Sequence, residues 1–228
     1  MNLTPEDITA IWLSLQVALT ATVISLPLGF ATAWLLVFKT LKGKVILEVL
    51  VNLPLTLPPV VIGYFLLLLL GKNGWLGKVL DEAGIQLIFT WKAAVIASAV
   101  VGFPLLVRSI RLGMESIERQ LLDASRSLGA SWYDSLLTII LPLSLRGIFS
   151  GSSLMFARSL GEFGATIIVA GNMPGKTQTI PLAIYDYTSS PSSTAMALSL
   201  CFVSVVISVA VLLLHEMLDK QLDRSTAS

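Results

Sequence analysis

Five long apolar segments constrain the fold of this chain more than any other feature. They lie at about residues 5–38, 46–70, 93–110, 145–169 and 195–215. About 20 apolar residues in an α-helix cross the hydrocarbon core of a bilayer, and in lipid every backbone polar group must find a partner within the chain. The segments therefore predict an all-α, polytopic transmembrane helical bundle of about five spans. We predict one domain over residues 1–228, with its core at about 11–215.

The overall composition agrees with a membrane protein and excludes several other classes. Hydrophobic residues make up 55% of the chain, charged residues make up 13%, and the mean hydropathy is +0.84. A net charge of +1 leaves no basic stripe that could neutralise a row of phosphates. The single cysteine, Cys201, can form neither a disulfide within the chain nor a cysteine-rich metal site. We therefore expect contact with the lipid bilayer, no nucleic acid partner and no metal site.

Local signals mark where two of the spans begin or bend. Thr4 followed by Pro5 is typical of a helix N-terminus, so the first helix should begin there. Three prolines between residues 54 and 59 predict that the span at 46–70 is broken or kinked, because proline lacks the N–H donor. The span at about 145–169 is predicted as a single helix.

Lysine and arginine residues are unevenly divided between the two sides of the membrane when the loops are assigned alternately. Ten fall on one side, namely Lys39, Lys42, Lys44, Arg108, Arg111, Arg119, Arg126, Arg146, Lys220 and Arg224. Four fall on the other, namely Lys72, Lys78, Lys92 and Lys176. The richer side is usually cytoplasmic. This predicts a cytoplasmic C-terminus, a cytoplasmic loop at about 115–142 and, with five spans, a periplasmic N-terminus.

The cytoplasmic loop has an unusual sequence, LLDASRSLGASWYDSLLTIILPLS at residues 121–144. Its first part could form one short helix that Gly129 ends with a positive φ, and Ser131 could cap a second helix. The apolar run at 136–141 needs a covering surface, because a large exposed apolar patch usually marks an interaction site. Two readings remain open from the pattern alone. The loop is either a compact docking element for a partner or an interfacial hairpin that lies on the lipid headgroups.

The same stretch resembles the EAA loop of ABC importer permease subunits. The matching residues, with the family's spacing, are Asp123, Ala124, Ser125, Gly129, Ile139, Leu141 and Pro142. Asp123 stands where glutamate is usual, and Ser125 stands where alanine is usual. In that family the loop docks into a groove on the ATP-hydrolysing subunit. The resemblance implies that Asp123, Ala124 and Gly129 form the docking surface and that Pro142 sets the turn into the fourth span.

A second resemblance extends over about residues 11–212. PLTLPPVVIGYFLL and FARSLGEFGATIIVAGNMPGKTQTIP are similar to segments of molybdate permease subunits, and sulfate permease subunits share ARSLGEFGA more loosely. This implies the type I ABC importer transmembrane fold in a bacterial inner membrane. It also implies a second copy of the chain, two ATPase subunits and a periplasmic or lipid-anchored molybdate-binding protein. The expected cargo is the oxyanion molybdate, with tungstate also compatible, and a sulfate or thiosulfate importer is the main alternative.

Polar side chains within the predicted spans are candidates for the translocation pathway. Arg158 and Glu162 are four residues apart and share a helix face, so they form either an internal ion pair or a wall along which an oxyanion passes. The other pathway candidates are Ser159, Thr166, Asn52 and Thr56. Gly161 and Gly164 predict close packing of another helix.

No segment of the sequence fits a phosphate-binding loop. GNMPGKT, at residues 171–177, is one residue short of the required spacing and follows a membrane helix. We therefore expect a non-enzymatic subunit that binds no cofactor, with ATP and Mg²⁺ on a separate chain. A transporter or channel that works without ATP is a further alternative, although such carriers commonly hold two structural repeats in one chain.

Overall fold

The computed structural model describes residues 3–40, 42–189 and 193–226, with side chains described up to Met217. Lys220 and Arg224, two of the ten basic residues assigned to the cytoplasmic side, have side chains outside the described part of the chain. The helices are α1 (Pro5–Phe38), α2 (Lys44–Thr56), α3 (Pro59–Leu70), α4 (Trp75–Glu82), α5 (Trp91–Glu115), α6 (Arg119–Ser127), α7 (Trp132–Ser135), α8 (Leu141–Leu160), α9 (Gly164–Ala170), α10 (Ile180–Thr188) and α11 (Thr194–Thr226). A π-helical turn, Leu136–Ile140, joins α7 to α8. The part of the chain that the structure describes is thus all-α, as predicted.

Four helical segments are long and apolar enough to cross a membrane. They are Pro5–Phe38, Trp91–Glu115, Trp132–Leu160 and Thr194–Met217. A fifth crossing is formed if α2 and α3, whose axes differ by 114°, count as one broken span. The predicted break is therefore confirmed, and it lies at Leu57 and Pro58, where consecutive prolines remove N–H donors.

The core of the bundle is formed by α1, α5 and α8, which approach one another through small residues. Gly113 and Gly147 face each other across α5 and α8, and a Cβ built on Gly113 would lie 3.0 Å from Gly147 Cα. On α1, Gly29 is covered by Leu106, whose Cδ2 lies 2.7 Å from a Cβ built on the glycine. Larger residues at these positions would push the helices apart, so close packing at the glycines allows α1, α5 and α8 to approach one another.

The N-terminus of α1 is fixed by a capping box and is connected to α10. Thr4 Oγ1 accepts a hydrogen bond from the backbone N–H of Asp7, and the Asp7 carboxylate accepts one from the backbone N–H of Thr4. The buried Asp7 carboxylate also accepts a hydrogen bond of 2.9 Å from Tyr187 Oη. Further along α1, Ser14 Oγ accepts the Ile180 N–H at 2.8 Å. These bonds confirm the predicted helix start and anchor α10 at this end of the bundle.

The long helix α11 lies on the outside of the bundle. Only 11% of the most apolar 18-residue stretch of α11 is buried, and the exposed side chains include Leu198, Phe202, Val205 and Leu213. An apolar surface of this kind on an isolated subunit is the surface expected to face lipid or another membrane subunit.

Candidate functional site

The segment between α5 and α8, residues 116–140, folds into two short helices that meet at a sharp corner; we call this segment the knob. Gly129 has φ 85° at the corner, a conformation that favours glycine. Ser131 caps the second helix: its hydroxyl accepts from the Asp134 N–H, and the Asp134 carboxylate accepts the Ser131 N–H at 3.0 Å. The predicted glycine corner and serine cap are both confirmed.

The outer surface of the knob combines apolar and polar exposed residues. Leu128, next to the corner, is 88% exposed, the highest value among the large hydrophobic side chains of the described residues. Tyr133 is 68% exposed, and the three predicted docking residues, Asp123, Ala124 and Gly129, are also exposed. Nothing within the described residues of this subunit covers Leu128. The surface is suited to contact with a partner that buries it.

The inner surface of the knob is attached to the bundle by side-chain contacts. Ser125 and Ser135 hydroxyls lie 2.8 Å apart and connect α6 to α7. The Trp132 ring packs edge-on against Trp34 of α1, with 5.2 Å between ring centroids, and Lys39 Nζ lies 5.1 Å from the Trp34 ring centroid. The serine contact thus joins the two helices of the knob to each other, and the tryptophan contact joins the knob to α1.

The predicted turn at Pro142 is wrong, because the chain is helical from Trp132 to Leu160. Pro142 has no N–H and falls in the first turn of α8, directly after the π-helical turn, in which the Leu141 N–H bonds to the Leu136 carbonyl. Ile139 packs partly buried against the core, and Leu141 is also partly buried. These two residues thus support the base of the knob, whereas its exposed surface is formed by residues of α6, the Gly129 corner and α7.

The predicted single helix at 145–169 is also wrong, because the chain leaves the helix between α8 and α9 at residues 161–163. Glu162 Oε1 accepts the Ala165 N–H at 2.8 Å, so the carboxylate satisfies a donor at the start of α9. Its other oxygen, Oε2, has no hydrogen bond but lies 2.8 Å from Arg158 Nη1 and is neutralised as an ion pair. The Glu162 side chain is 1% exposed and that of Arg158 is 32% exposed.

The two helix breaks lie against each other; we call the segments 57–60 and 161–165 the junction. A Cβ built on Gly164 would lie 3.0 Å from Pro59 Cβ, which confirms close packing at this glycine. On the adjacent α3, a Cβ on Gly63 would lie 2.8 Å from the Ala165 carbonyl oxygen. The packing prediction for Gly161 is wrong within this subunit, because Gly161 is exposed at the break. A Cβ built there would meet no other helix, and its one neighbour within 4 Å is the Arg158 carbonyl oxygen of the preceding turn, at 3.9 Å.

The remaining predicted pathway residues divide between the junction and α2. Ser159 and Thr166 are buried near the junction. Thr56, at the end of α2, donates its hydroxyl to the Leu53 carbonyl at 2.9 Å. Asn52, one turn earlier, donates to the Glu48 carbonyl at 2.7 Å. The structure therefore pairs Arg158 with Glu162 and buries Ser159 and Thr166 on either side of the same helix break, whereas Asn52 and Thr56 lie on α2.

Asn52 borders a cavity of about 320 Å³ between α1, α2 and α5 that the sequence did not predict. The residues around it are Leu36, Val51, Asn52, Pro104, Val107, Arg108 and Arg111. Arg111 lies between two carboxylates, with Nη1 2.8 Å from Glu48 Oε1 and Nε 2.7 Å from Glu115 Oε1. The contact between Glu48 and Arg111 joins α2 to α5, far apart in sequence. From the sequence, Arg108 and Arg111 are predicted only as cytoplasmic-side charges, because their proximity to Asn52 depends on this packing.

Comparison with known proteins places these features in a family. Residues 13–224 match the family described as "Binding-protein-dependent transport system inner membrane component". The chain is 48% identical to the molybdenum transport system permease protein ModB of Haemophilus influenzae, and 47% identical to ModB of Escherichia coli strain K12. In both cases the alignment covers 96% of each chain.

The fold is also that of a solved transporter. A crystal structure of the MetNI methionine ABC transporter, in an inward-facing conformation, superposes with a TM-score of 0.73. The superposition covers 94% of this chain and 95% of that one, with 15% sequence identity, and so shows a shared fold. The chain belongs to the family of inner membrane components of binding-protein-dependent transport systems.

Proposed function

We propose that this chain is the permease subunit of an ATP-driven molybdate importer, with tungstate as a second possible cargo. The observation that carries the proposal is the identity of 47–48%, over 96% of both chains, to two proteins named as molybdenum transport permeases. A sulfate or thiosulfate importer is not favoured by these relatives. Membership of a binding-protein-dependent family argues against the alternative of a channel or transporter that works without ATP.

In the proposed complex, two copies of the chain form the pathway and two separate ATPase subunits dock on their knobs. The exposed Leu128, Asp123 and Ala124 and the fixed corner at Gly129 support this assignment, because a docking element needs an uncovered surface on a rigid frame. ATP and Mg²⁺ would bind to the ATPase subunits. This chain would act by converting movement of the knob into movement of its helices.

The proposed orientation follows the lysine and arginine count, with the knob and the C-terminus in the cytoplasm and the N-terminus in the periplasm of a bacterial inner membrane. The end of the bundle at which α10 is anchored to α1 would then receive a periplasmic or lipid-anchored molybdate-binding protein. Selection among tetrahedral oxyanions would occur mainly in that binding protein.

The experiment that tests the proposal is transport by a purified complex. The chain is co-expressed with its ATPase subunit and reconstituted in proteoliposomes with ATP at the knob side and the loaded binding protein at the other. We expect uptake of radiolabelled molybdate that requires ATP and is suppressed by excess tungstate. Uptake that sulfate suppresses as strongly as tungstate would replace the proposed cargo, and uptake that proceeds without ATP or an ATPase subunit would contradict the mechanism.

A further inference from the structure

The cavity beside Asn52 is bordered by one arginine, Arg108, whose charge none of the described residues neutralises. Arg111 is paired with both Glu48 and Glu115. Arg108, one turn earlier on α5, is exposed to the cavity and makes no ion pair or hydrogen bond with any of the described residues. The positive charge of Arg108 is therefore available to an anion.

The charged side chain of Arg108 is unfavourable in contact with lipid tails. A charged side chain in the apolar part of a membrane helix is costly unless it meets water, a partner or an anion. Asn52 on α2 faces the same cavity and adds an amide. At ~30 Å³ for each water, a cavity of about 320 Å³ would hold about ten, so a hydrated small anion fits beside the guanidinium.

The position of Arg108 along α5 relates the cavity to the direction of transport. Arg108 lies about two turns before Glu115, the last residue of α5, and the chain enters the knob directly after it. In the proposed orientation this is the cytoplasmic half of the bundle. A cation at this depth would attract an oxyanion that is leaving the pathway.

We propose that Arg108 and Asn52 form a transient binding site for a tetrahedral oxyanion at the cytoplasmic end of the translocation pathway. The guanidinium supplies the paired N–H donors that suit a tetrahedral oxyanion. One N–H of the Asn52 amide donates to the Glu48 carbonyl, and its second N–H supplies a further donor. This inference rests on the proposed function and extends it to particular residues. Arg158 is less suited to the same task, because its charge is already opposed by Glu162.

The first test compares uptake by variants at Arg108 in the reconstituted complex. Arg108→Gln should lower the rate of ATP-dependent molybdate uptake about tenfold, the effect of losing one charge-assisted hydrogen bond. Arg108→Lys keeps the charge and should stay within about threefold of the unmodified rate. Lys92→Gln, which removes an exposed cation at the opposite end of the same helix, is the matched control and should leave uptake unchanged. Equal amounts of permease and ATPase subunit in each preparation exclude a folding defect.

A second test separates the transported oxyanion from the phosphate of a lipid headgroup, which would present the same chemistry to Arg108. The variant is Arg108→Cys in a chain whose Cys201 has been changed to alanine. A water-soluble aminoethyl thiosulfonate would restore a cation at this position, and its methyl counterpart would not. We expect the aminoethyl reagent to recover uptake and the methyl reagent to leave it low. If only a lipid-soluble maleimide reacts, Arg108 faces lipid and the proposal is wrong.

The outcomes also separate this inference from the proposed function. If Arg108→Gln transports molybdate at the unmodified rate, the Arg108 site is refuted and the importer assignment stands. If the unmodified complex carries sulfate and not molybdate, the proposed cargo is wrong. The same Arg108 comparison, made with sulfate, then still decides whether the site exists.

Discussion

The junction and the knob are both places where the chain departs from a straight transmembrane helix, but their contacts differ sharply. At the junction, the Glu162 carboxylate accepts a hydrogen bond from the Ala165 N–H and forms an ion pair with Arg158, and Gly164 packs directly on Pro59. At the knob, the corner at Gly129 has open space around it, and Leu128 is 88% exposed. The contacts of the junction are therefore made within the described residues of the subunit, whereas the outer surface of the knob is left uncovered by them, and we propose that an ATPase subunit covers it. Substitutions in the two regions should fail in different ways.

The largest expected effect comes from removing Arg158, the partly exposed partner of the buried Glu162 carboxylate. Arg158→Ala would leave the Glu162 carboxylate buried without its counter-ion, a change that costs about 3–5 kcal/mol. The abundance of the subunit in membranes should fall. Combining Arg158→Leu with Glu162→Gln removes both charges and keeps an acceptor for the Ala165 N–H, so abundance and uptake should recover.

The same pair of variants tests the earlier pathway prediction for Arg158. If Arg158→Ala is as abundant as the unmodified subunit and retains its ATPase partner, but transports poorly, Arg158 contributes directly to the pathway. Quantitative immunoblots and uptake assays on the same membranes distinguish the two results.

The next largest effect is expected from a larger residue at Gly63, where α3 packs against α9 beside the junction. Gly63→Val would place its Cβ 2.8 Å from the Ala165 carbonyl oxygen, so α3 and α9 must separate at a cost of about 1–3 kcal/mol. The thermal midpoint of the purified subunit should fall. Gly161→Ala is the control, because a Cβ at this glycine meets no other helix and lies 3.9 Å from the Arg158 carbonyl oxygen of the preceding turn. Equal thermal midpoints for the two variants would contradict the close contact between Gly63 and the Ala165 carbonyl oxygen.

A substitution at the corner of the knob should leave the bundle intact and affect coupling. Gly129→Val strains a backbone with φ 85° by about 1–3 kcal/mol and changes the direction of the exposed surface. The variant should insert normally but lose ATPase subunits during purification, with uptake falling in parallel. If ATPase retention and uptake both stay at the unmodified level, the knob is an interfacial hairpin and not a coupling element.

The smallest effect is expected from the hydroxyl pair inside the knob. Ser125→Ala removes the 2.8 Å contact with Ser135, which contributes about 0.5–1.5 kcal/mol, and restores the alanine that is usual in EAA loops. Uptake should remain within about twofold of the unmodified rate. A loss as large as that of Gly129→Val would mean that the connection between α6 and α7 is as important as the corner itself.

The sequence predicted those features that depend on a few neighbouring residues. The caps at Thr4 and Ser131, the corner at Gly129 and the break after Leu57 all follow from local side-chain hydrogen bonding, positive φ or missing N–H donors. Helical periodicity and hydropathy were likewise enough for the all-α membrane fold.

Features that depend on contacts between distant residues were not predicted. The break at 161–163 forms where Glu162 bonds to the backbone of α9 and Gly164 packs on Pro59, about a hundred residues earlier in the chain. Hydropathy alone extends one helix through this point. The cavity beside Arg108 similarly requires α2 to lie against α5, where the ion pair between Glu48 and Arg111 joins residues 63 positions apart in the sequence.

The most direct test of the central claim, that an ATPase subunit docks on the knob, is a cross-link from its most exposed residue. In a chain with Cys201 changed to alanine, Leu128→Cys should form a cross-link to the ATPase subunit with a short bifunctional thiol and amine reagent in intact membranes. Leu19→Cys is the matched control, because Leu19 is also exposed, at 59%, but lies midway along α1. We predict a cross-linked product from Leu128→Cys alone. No product from Leu128→Cys, or equal products from both positions, would contradict the docking of the ATPase on the knob.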